Sequence, residues 1–180
     1  MEEKYLYHAS NNKNIEILEP RVESVRDPKE GPVVFASQDK AYVTCFLVPT
    51  NDSWVKISRY SSDKHPIIYV VCISDKKRFK ELDKGGAIYY LPSSSFYLDK
   101  SKNDLEWTSR EKVRPVRKEL YSSGLDAMID NGVIVYFCDK PTLLNLKEDP
   151  SDVDKTMRIL NSLVSENEKR GLENPIQKYY

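Results

Sequence analysis

The sequence is poor in the residues that most often carry chemistry. Its 180 residues include two histidines and three cysteines, and Lys+Arg and Asp+Glu balance at 28 each, for a formal net charge of +0. That balance excludes a general nucleic-acid binder, which needs a basic excess to displace counterions from phosphates. Cys45, Cys72 and Cys138 are odd in number, far apart and set in apolar runs ("TCFLV", "YVVCIS", "VYFCD"). They read as buried free thiols of a reducing compartment and not as a disulfide framework. No CxxC and no Cys/His cluster occurs, so no metal is expected. G-x-G-x-x-G and G-x-x-x-x-G-K-[ST] are both missing, which removes the two common phosphate-binding loops. No apolar run approaches the roughly 18 residues of a membrane span. The start, "MEEKYLYH", is acidic and has no apolar core, so no secretory signal is read there. The expected location is the cytoplasm.

Tyrosine, in contrast, is plentiful, with 12 residues. Its apolar body and polar tip suit half-buried strands and clefts. Strand-like runs are "KYLYH", "VVFAS", the pair "SWVKISRY" and "IIYVVCIS" around the polar loop "SSDKHP", "GAIYYLP", "LEWTSREKVRPV" and the fully apolar "VIVYFCD", expected to be central. "SSSFYLD" starts with a turn and is expected to pair with the segment after it. "QDKAYVTCFLV" has helical spacing with Asp39 as its cap. "KKRFKEL" reads as a turn or short helix and "RKELYSSGLDAMIDNG" as a helix stopped at Asn131-Gly132. From Pro150 an amphipathic helix is expected, capped by Ser151, with Met157, Leu160 and Val164 on one stripe. Strands outnumber helices without alternating regularly, so the class is α+β and not a doubly wound sheet. The organisation expected is a domain over 1–146 with a helical extension, 147–180, packed on it.

Few side chains stand out as candidates for chemistry. His8 ends the first strand, in "EKYLYHAS"; a lone histidine there is more often a satisfied structural residue than a ligand contact. His65, before a proline in a polar loop, reads as an exposed loop residue. Glu106 lies between Leu105 and Trp107 in a strand-like run. It either points into a cleft or faces solvent opposite a cross-strand cation. Ser/His/Asp hydrolysis lacks a nucleophile elbow and a second well-placed histidine. A local basic patch in "SREKVRPVRKEL" carries Arg110, Arg114 and Arg117, which would serve a nucleic-acid-directed reading.

The order of "YLYHAS", "GPVVFASQDKAYVTCF", "GAIYYLPSSSFY" and "LEWTSREKVRPV" resembles the ADP-ribosyltransferase fold. The likeness is to the branch with a histidine, an aromatic and a glutamate on three strands, which includes poly(ADP-ribose) polymerases, diphtheria-type toxins and rifampin ADP-ribosyltransferases. It spans roughly residues 4 to 138. The family's His-Gly-Ser or His-Gly-Thr is here His8-Ala9-Ser10. Its "Tyr-Phe-Ala" strand and following helix are here "VVFAS" and "QDKAYVTCF", and its glutamate before an aromatic is Glu106-Trp107. The resemblance implies two packed, mostly antiparallel sheets around a cleft, with flanking helices.

It further implies NAD as co-substrate and no metal. Breaking the nicotinamide–ribose bond builds positive charge on the ribose, much as in glycoside hydrolysis, and Glu106 would stabilise it. His8 would hydrogen-bond the adenosine-side ribose, Ser10 would support the pocket and the Ala9 backbone would pair with the nicotinamide amide. Phe35 or Phe46 would stack on the nicotinamide ring, with Tyr42 or Phe46 serving on the helix. The acceptor is a protein, a nucleic acid or a small molecule. Two departures keep an alternative open, a non-catalytic nucleotide- or partner-binding module on the same fold. Ala9 replaces a glycine and requires that the backbone there not need a positive φ. Phe35 can stack but cannot donate a hydrogen bond. Arg21 and Arg26, in the first loop, are too displaced to match the pocket arginines of the phosphotransferases that share the fold.

Overall fold

The computed structural model describes residues 5–22, 31–62, 65–98, 100, 104–148, 153–174 and 176. Pro150, Ser151 and Arg26 lie outside them. The chain divides into two compact units, each assembled from two stretches. The first takes residues 1–47 and 85–122, the second 48–84 and 123–180. The expected boundary at 146/147 therefore falls inside the second unit and inside one of its helices.

The first unit is built on β1 (Tyr5–Ser10), β2 (Val34–Ala36), α1 (Lys40–Thr44), β5 (Gly86–Pro92), β6 (Tyr97–Leu98), β7 (Trp107–Ser109) and β8 (Arg117–Tyr121). The strands form two antiparallel sheets, ordered β1-β5-β8 and β2-β7-β6. Side chains alternate across a strand, so Leu6 of β1 and Ala87, Tyr89 and Leu91 of β5 fall on one face. They join Val34, Ala36, Leu18, Phe96 and Val113 in one core cluster, every member of which is buried. The Tyr89 hydroxyl, carried into that core, is satisfied by donating to Asn12 O at 2.7 Å and accepting from Ile15 N at 3.0 Å.

Here the structure corrects one expectation. "RKELY" is strand, not helix: Arg117, Glu119 and Tyr121 pair in register with Tyr90, Ile88 and Gly86 of β5. The helix begins only after Ser123, whose hydroxyl accepts from Asp126 N. "LEWTSREKVRPV" is strand only over β7; Leu18 and Val113 form an isolated bridge beyond it.

The second unit contains β3 (Val55–Ser62), β4 (His65–Ile73), α2 (Lys76–Leu82), α3 (Gly124–Asp130), β9 (Ile134–Phe137), α4 (Lys140–Glu148), α5 (Val153–Asn161) and α6 (Glu166–Lys169). Its sheet, β3-β4-β9, is mixed, with β3 antiparallel and β9 parallel to β4. A third sheet was not foreseen. The hairpin continues to the Ser62–His65 pair, so strand reaches both of these residues of the segment read as a polar loop. Ile68, Val70, Cys72, Ile134 and Tyr136 pack with Leu143, Leu146, Met157, Leu160 and Ile176. The amphipathic segment thus buries Met157 and Leu160 as expected, but Val164 lies beyond α5 and is 60% exposed.

The apolar strand β9 lies at the edge of this sheet and not at its centre. Its outer backbone is closed by one side chain. Buried Asn167 of α6 donates from Nδ2 to Val133 O at 3.0 Å and accepts from Val135 N at 3.1 Å. The amide does what a neighbouring strand would do for those two groups. Asn167→Ala leaves both buried and unpaired, so a loss of about 2–4 kcal/mol is expected. Urea denaturation measures it, and a loss under about 0.5 kcal/mol, as at an ordinary surface position, would contradict this role.

Candidate functional site

The first unit contains a cavity of about 280 Å³ lined by Tyr7, His8 and Ala9 of β1, Phe35 and Ala36 of β2, Ser37, Tyr42 and Val43 of α1, Phe46 and Glu106. It opens where β2 changes partners. Ala36 still pairs with Trp107 of β7. One residue later Ser37 bonds instead to β1, with Tyr7 N to Ser37 O at 2.7 Å and Ser37 N to Tyr7 O at 2.9 Å. Glu106, one residue before β7, is left at the point of divergence. Asp104, with φ of 55°, is the only non-glycine residue with positive φ among the described residues, and it turns the chain just before Glu106.

His8 spans the gap on the β1 side. Its Nδ1 lies 2.7 Å from Phe35 O. A carbonyl only accepts, so Nδ1 carries the hydrogen and Nε2 is the acceptor of the neutral ring. Burial lowers the His8 pKa below 6.5. The bond to Phe35 O opposes that shift, and the charge of Arg21 reinforces it. The neutral imidazole is therefore the resting form near pH 7.

The sign of that shift gives a prediction. As pH falls through 6.5 the unfolded chain takes up a proton at His8 before the folded chain does. The stability tied to the neutral ring is complete above that pH and is lost below it, at up to about 1.4 kcal/mol per pH unit. Between pH 7 and 5 the melting temperature of the wild type is expected to fall more steeply than that of His8→Gln, which does not titrate. Parallel curves would rule the coupling out.

The aromatic wall is placed by α1. A helix of five residues is too short to hold itself. Asp39 caps it, accepting from Ala41 N at 3.0 Å and Tyr42 N at 3.3 Å. Lys40 ties it to β8 through an ion pair with Glu119, which also accepts from the hydroxyls of Tyr90 and Tyr121. Partial burial alone would raise the Glu119 pKa, but the bonds from Lys40 and Tyr90 outweigh it and hold the carboxyl low. So anchored, α1 brings the Tyr42 hydroxyl to 3.4 Å from Glu106 Oε1, where it donates. The Tyr42 ring meets Phe46 edge-on at 5.0 Å. Phe46 is 43% exposed, an apolar ring left partly uncovered at the cavity.

The structure thus brings His8, Ala9, Phe35, Tyr42, Phe46 and Glu106 to one cavity, from stretches up to 98 positions apart in the sequence. Ser10 does not line it; its hydroxyl accepts from Asn12 N at 3.1 Å and closes the turn after β1. Ala9 is paired with Ile88 in extended backbone, so it meets the condition set on replacing glycine. Tyr7, Ala36, Ser37 and Val43 were not anticipated, although each lies within two residues of one that was. Phe46 lies beyond α1, because the expected longer helix ends at Thr44. Arg117 is stacked on the Tyr90 ring, with its guanidinium carbon 3.7 Å from the centroid, and Arg110 and Arg114 are exposed. His65 opens β4 and is not a loop residue.

Among the described residues, Glu106 is the one charged side chain of the lining. The thiols are unsuited to nucleophilic work. Burial raises the Cys72 pKa, pushes Cys45 up to about 12 and pushes the half-buried Cys138 up to about 11. Among the described residues no group of three or more His, Cys, Asp or Glu side chains is placed to hold a metal ion. Nor is any helix among them long and apolar enough to cross a membrane. Comparison with protein-family models, curated proteins and solved structures gave no match.

Proposed function

We propose that the cavity binds the nicotinamide–ribose end of NAD and that the protein is an ADP-ribosyltransferase. The observation that carries this reading is the convergence of three unlike groups from three strand contexts: a neutral histidine with a free ring acceptor, an aromatic wall and one carboxylate. The volume falls just below the range of small-molecule pockets, roughly 300–1,000 Å³. It suits one end of a dinucleotide and leaves the remainder outside.

In this reading a ring of the wall stacks on nicotinamide and Nε2 of His8 accepts from a ribose hydroxyl. Glu106, steadied by the Tyr42 hydroxyl, faces the ribose. The C1′–N bond breaks with its electron pair passing to the nicotinamide nitrogen, which becomes neutral. Positive charge grows on the ribose and is stabilised by the Glu106 carboxylate. The acceptor's nucleophile then bonds to C1′ and gives up its proton.

The test is nicotinamide release from NAD by the wild type and by Glu106→Gln. Release that depends on Glu106 supports the enzyme. NAD binding without such turnover would make the chain a non-catalytic nucleotide-binding module.

A further inference from the structure

A dinucleotide brings two negative phosphates to a cavity whose only charged group among the described residues is a carboxylate. A cation beside the cavity would offset that repulsion. We propose that Arg21 is that group, and that it binds the pyrophosphate of the dinucleotide just outside the cavity; this rests on reading the cavity as an NAD site.

The placement of Arg21 is set by backbone pairing. Its N–H donates to Val33 O at 3.1 Å and its carbonyl accepts from Val33 N at 3.4 Å, in an antiparallel bridge. Directly opposed residues project to the same side of a sheet. Val33 and Phe35, two apart in extended backbone, also share a side. Arg21 therefore leaves the backbone on the Phe35 side, about 7 Å along the strand from that residue. Phe35 lines the cavity and its carbonyl holds His8.

The Arg21 guanidinium is uncommitted. Among the described residues it makes no hydrogen bond and no ion pair, and the residue is exposed. Glu19, the acid whose titration it influences, is already bonded to Lys112 at 2.5 Å. The positive charge reaches the cavity, since it helps keep His8 neutral. A guanidinium presents a planar fork that fits phosphate oxygens in pairs. Distance in sequence from the His8 motif argues against Arg21 as a pocket residue; the bridge to Val33 removes that objection.

Calorimetric titration of wild type and Arg21→Gln with NAD, nicotinamide and inorganic pyrophosphate tests the proposal. Losing a charge-assisted bond is expected to weaken NAD binding by about tenfold to a hundredfold. Nicotinamide binding should be unchanged, and Arg21→Lys should fall between the two. Equal NAD affinity in wild type and Arg21→Gln overturns the role of Arg21 and leaves the NAD site standing. If the wild type binds neither NAD nor nicotinamide, the NAD site falls and pyrophosphate decides alone. Saturable pyrophosphate binding that disappears in Arg21→Gln supports Arg21 as a phosphate site, and its absence overturns that too.

Discussion

Glu106→Gln is expected to cut nicotinamide release from NAD by about 10²- to 10³-fold, with NAD affinity changed by only a few-fold. Glutamine keeps the length of the side chain, and its amide oxygen can still accept from the Tyr42 hydroxyl that now lies 3.4 Å from Glu106 Oε1. What it loses is the negative charge, and that charge matters most when the ribose becomes positive. Removing one preorganised electrostatic partner of a transition state costs about 10²–10³ in rate. In the proposed site, binding of the ground state by stacking and by His8 would not draw on it to the same degree. Glu106→Asp keeps the charge but withdraws it by one methylene, and a misplacement of about 1 Å can cost about 10²-fold. Rates should therefore order as wild type, then the two variants well below. Equal turnover in wild type and Glu106→Gln would remove Glu106 from the chemistry.

Gly85→Ala is expected to destabilise the protein by about 2–5 kcal/mol. Two costs combine there. The residue has φ of +64°, in the left-handed region, and a Cβ would collide with the carbonyl oxygen of Tyr121 and lie 2.5 Å from Ser122 C. The left-handed conformation costs about 1–2 kcal/mol for an L side chain. A clash with backbone, which cannot swing away as a side chain can, adds about 1–3 kcal/mol. Gly132 separates the two terms, since it has φ of +83° and open space where its Cβ would stand. Gly132→Ala should cost only the conformational part, about 1–2 kcal/mol. Denaturant midpoints of the two variants measure the difference, and equal losses would refute the collision at Gly85.

Local signals in the sequence carried part of this structure. Asp39 announces a helix start, and "GAIYYLP" and the "SWVKISRY"/"IIYVVCIS" pair became strands where expected. Errors came where the deciding partner is distant. "RKELY" has helical composition, yet Arg117, Glu119 and Tyr121 alternate onto one face, and pairing with β5 overrides propensity. β9 reads as central because it is apolar throughout, but the group that closes its edge, Asn167, lies more than 30 residues away. In the cavity, His8, Phe35 and Glu106 were legible from motif order. The change of partner at Ser37 was not, because nothing in "VVFAS" tells which neighbour each residue meets. The pairing of Arg21 with Val33 was hidden for the same reason.

Each compact unit is interrupted by a stretch of the other, and this fixes the order in which the chain can fold as it is made. When synthesis has reached Lys84, the first unit still lacks β5, β6, β7 and β8, and the second still lacks α3, β9, α4, α5 and α6. His8 and Phe35 must wait for Glu106 before the cavity has its carboxylate. The first unit is complete only after Ser122, while the second is still open. No single truncation point therefore yields either unit free of a fragment of the other.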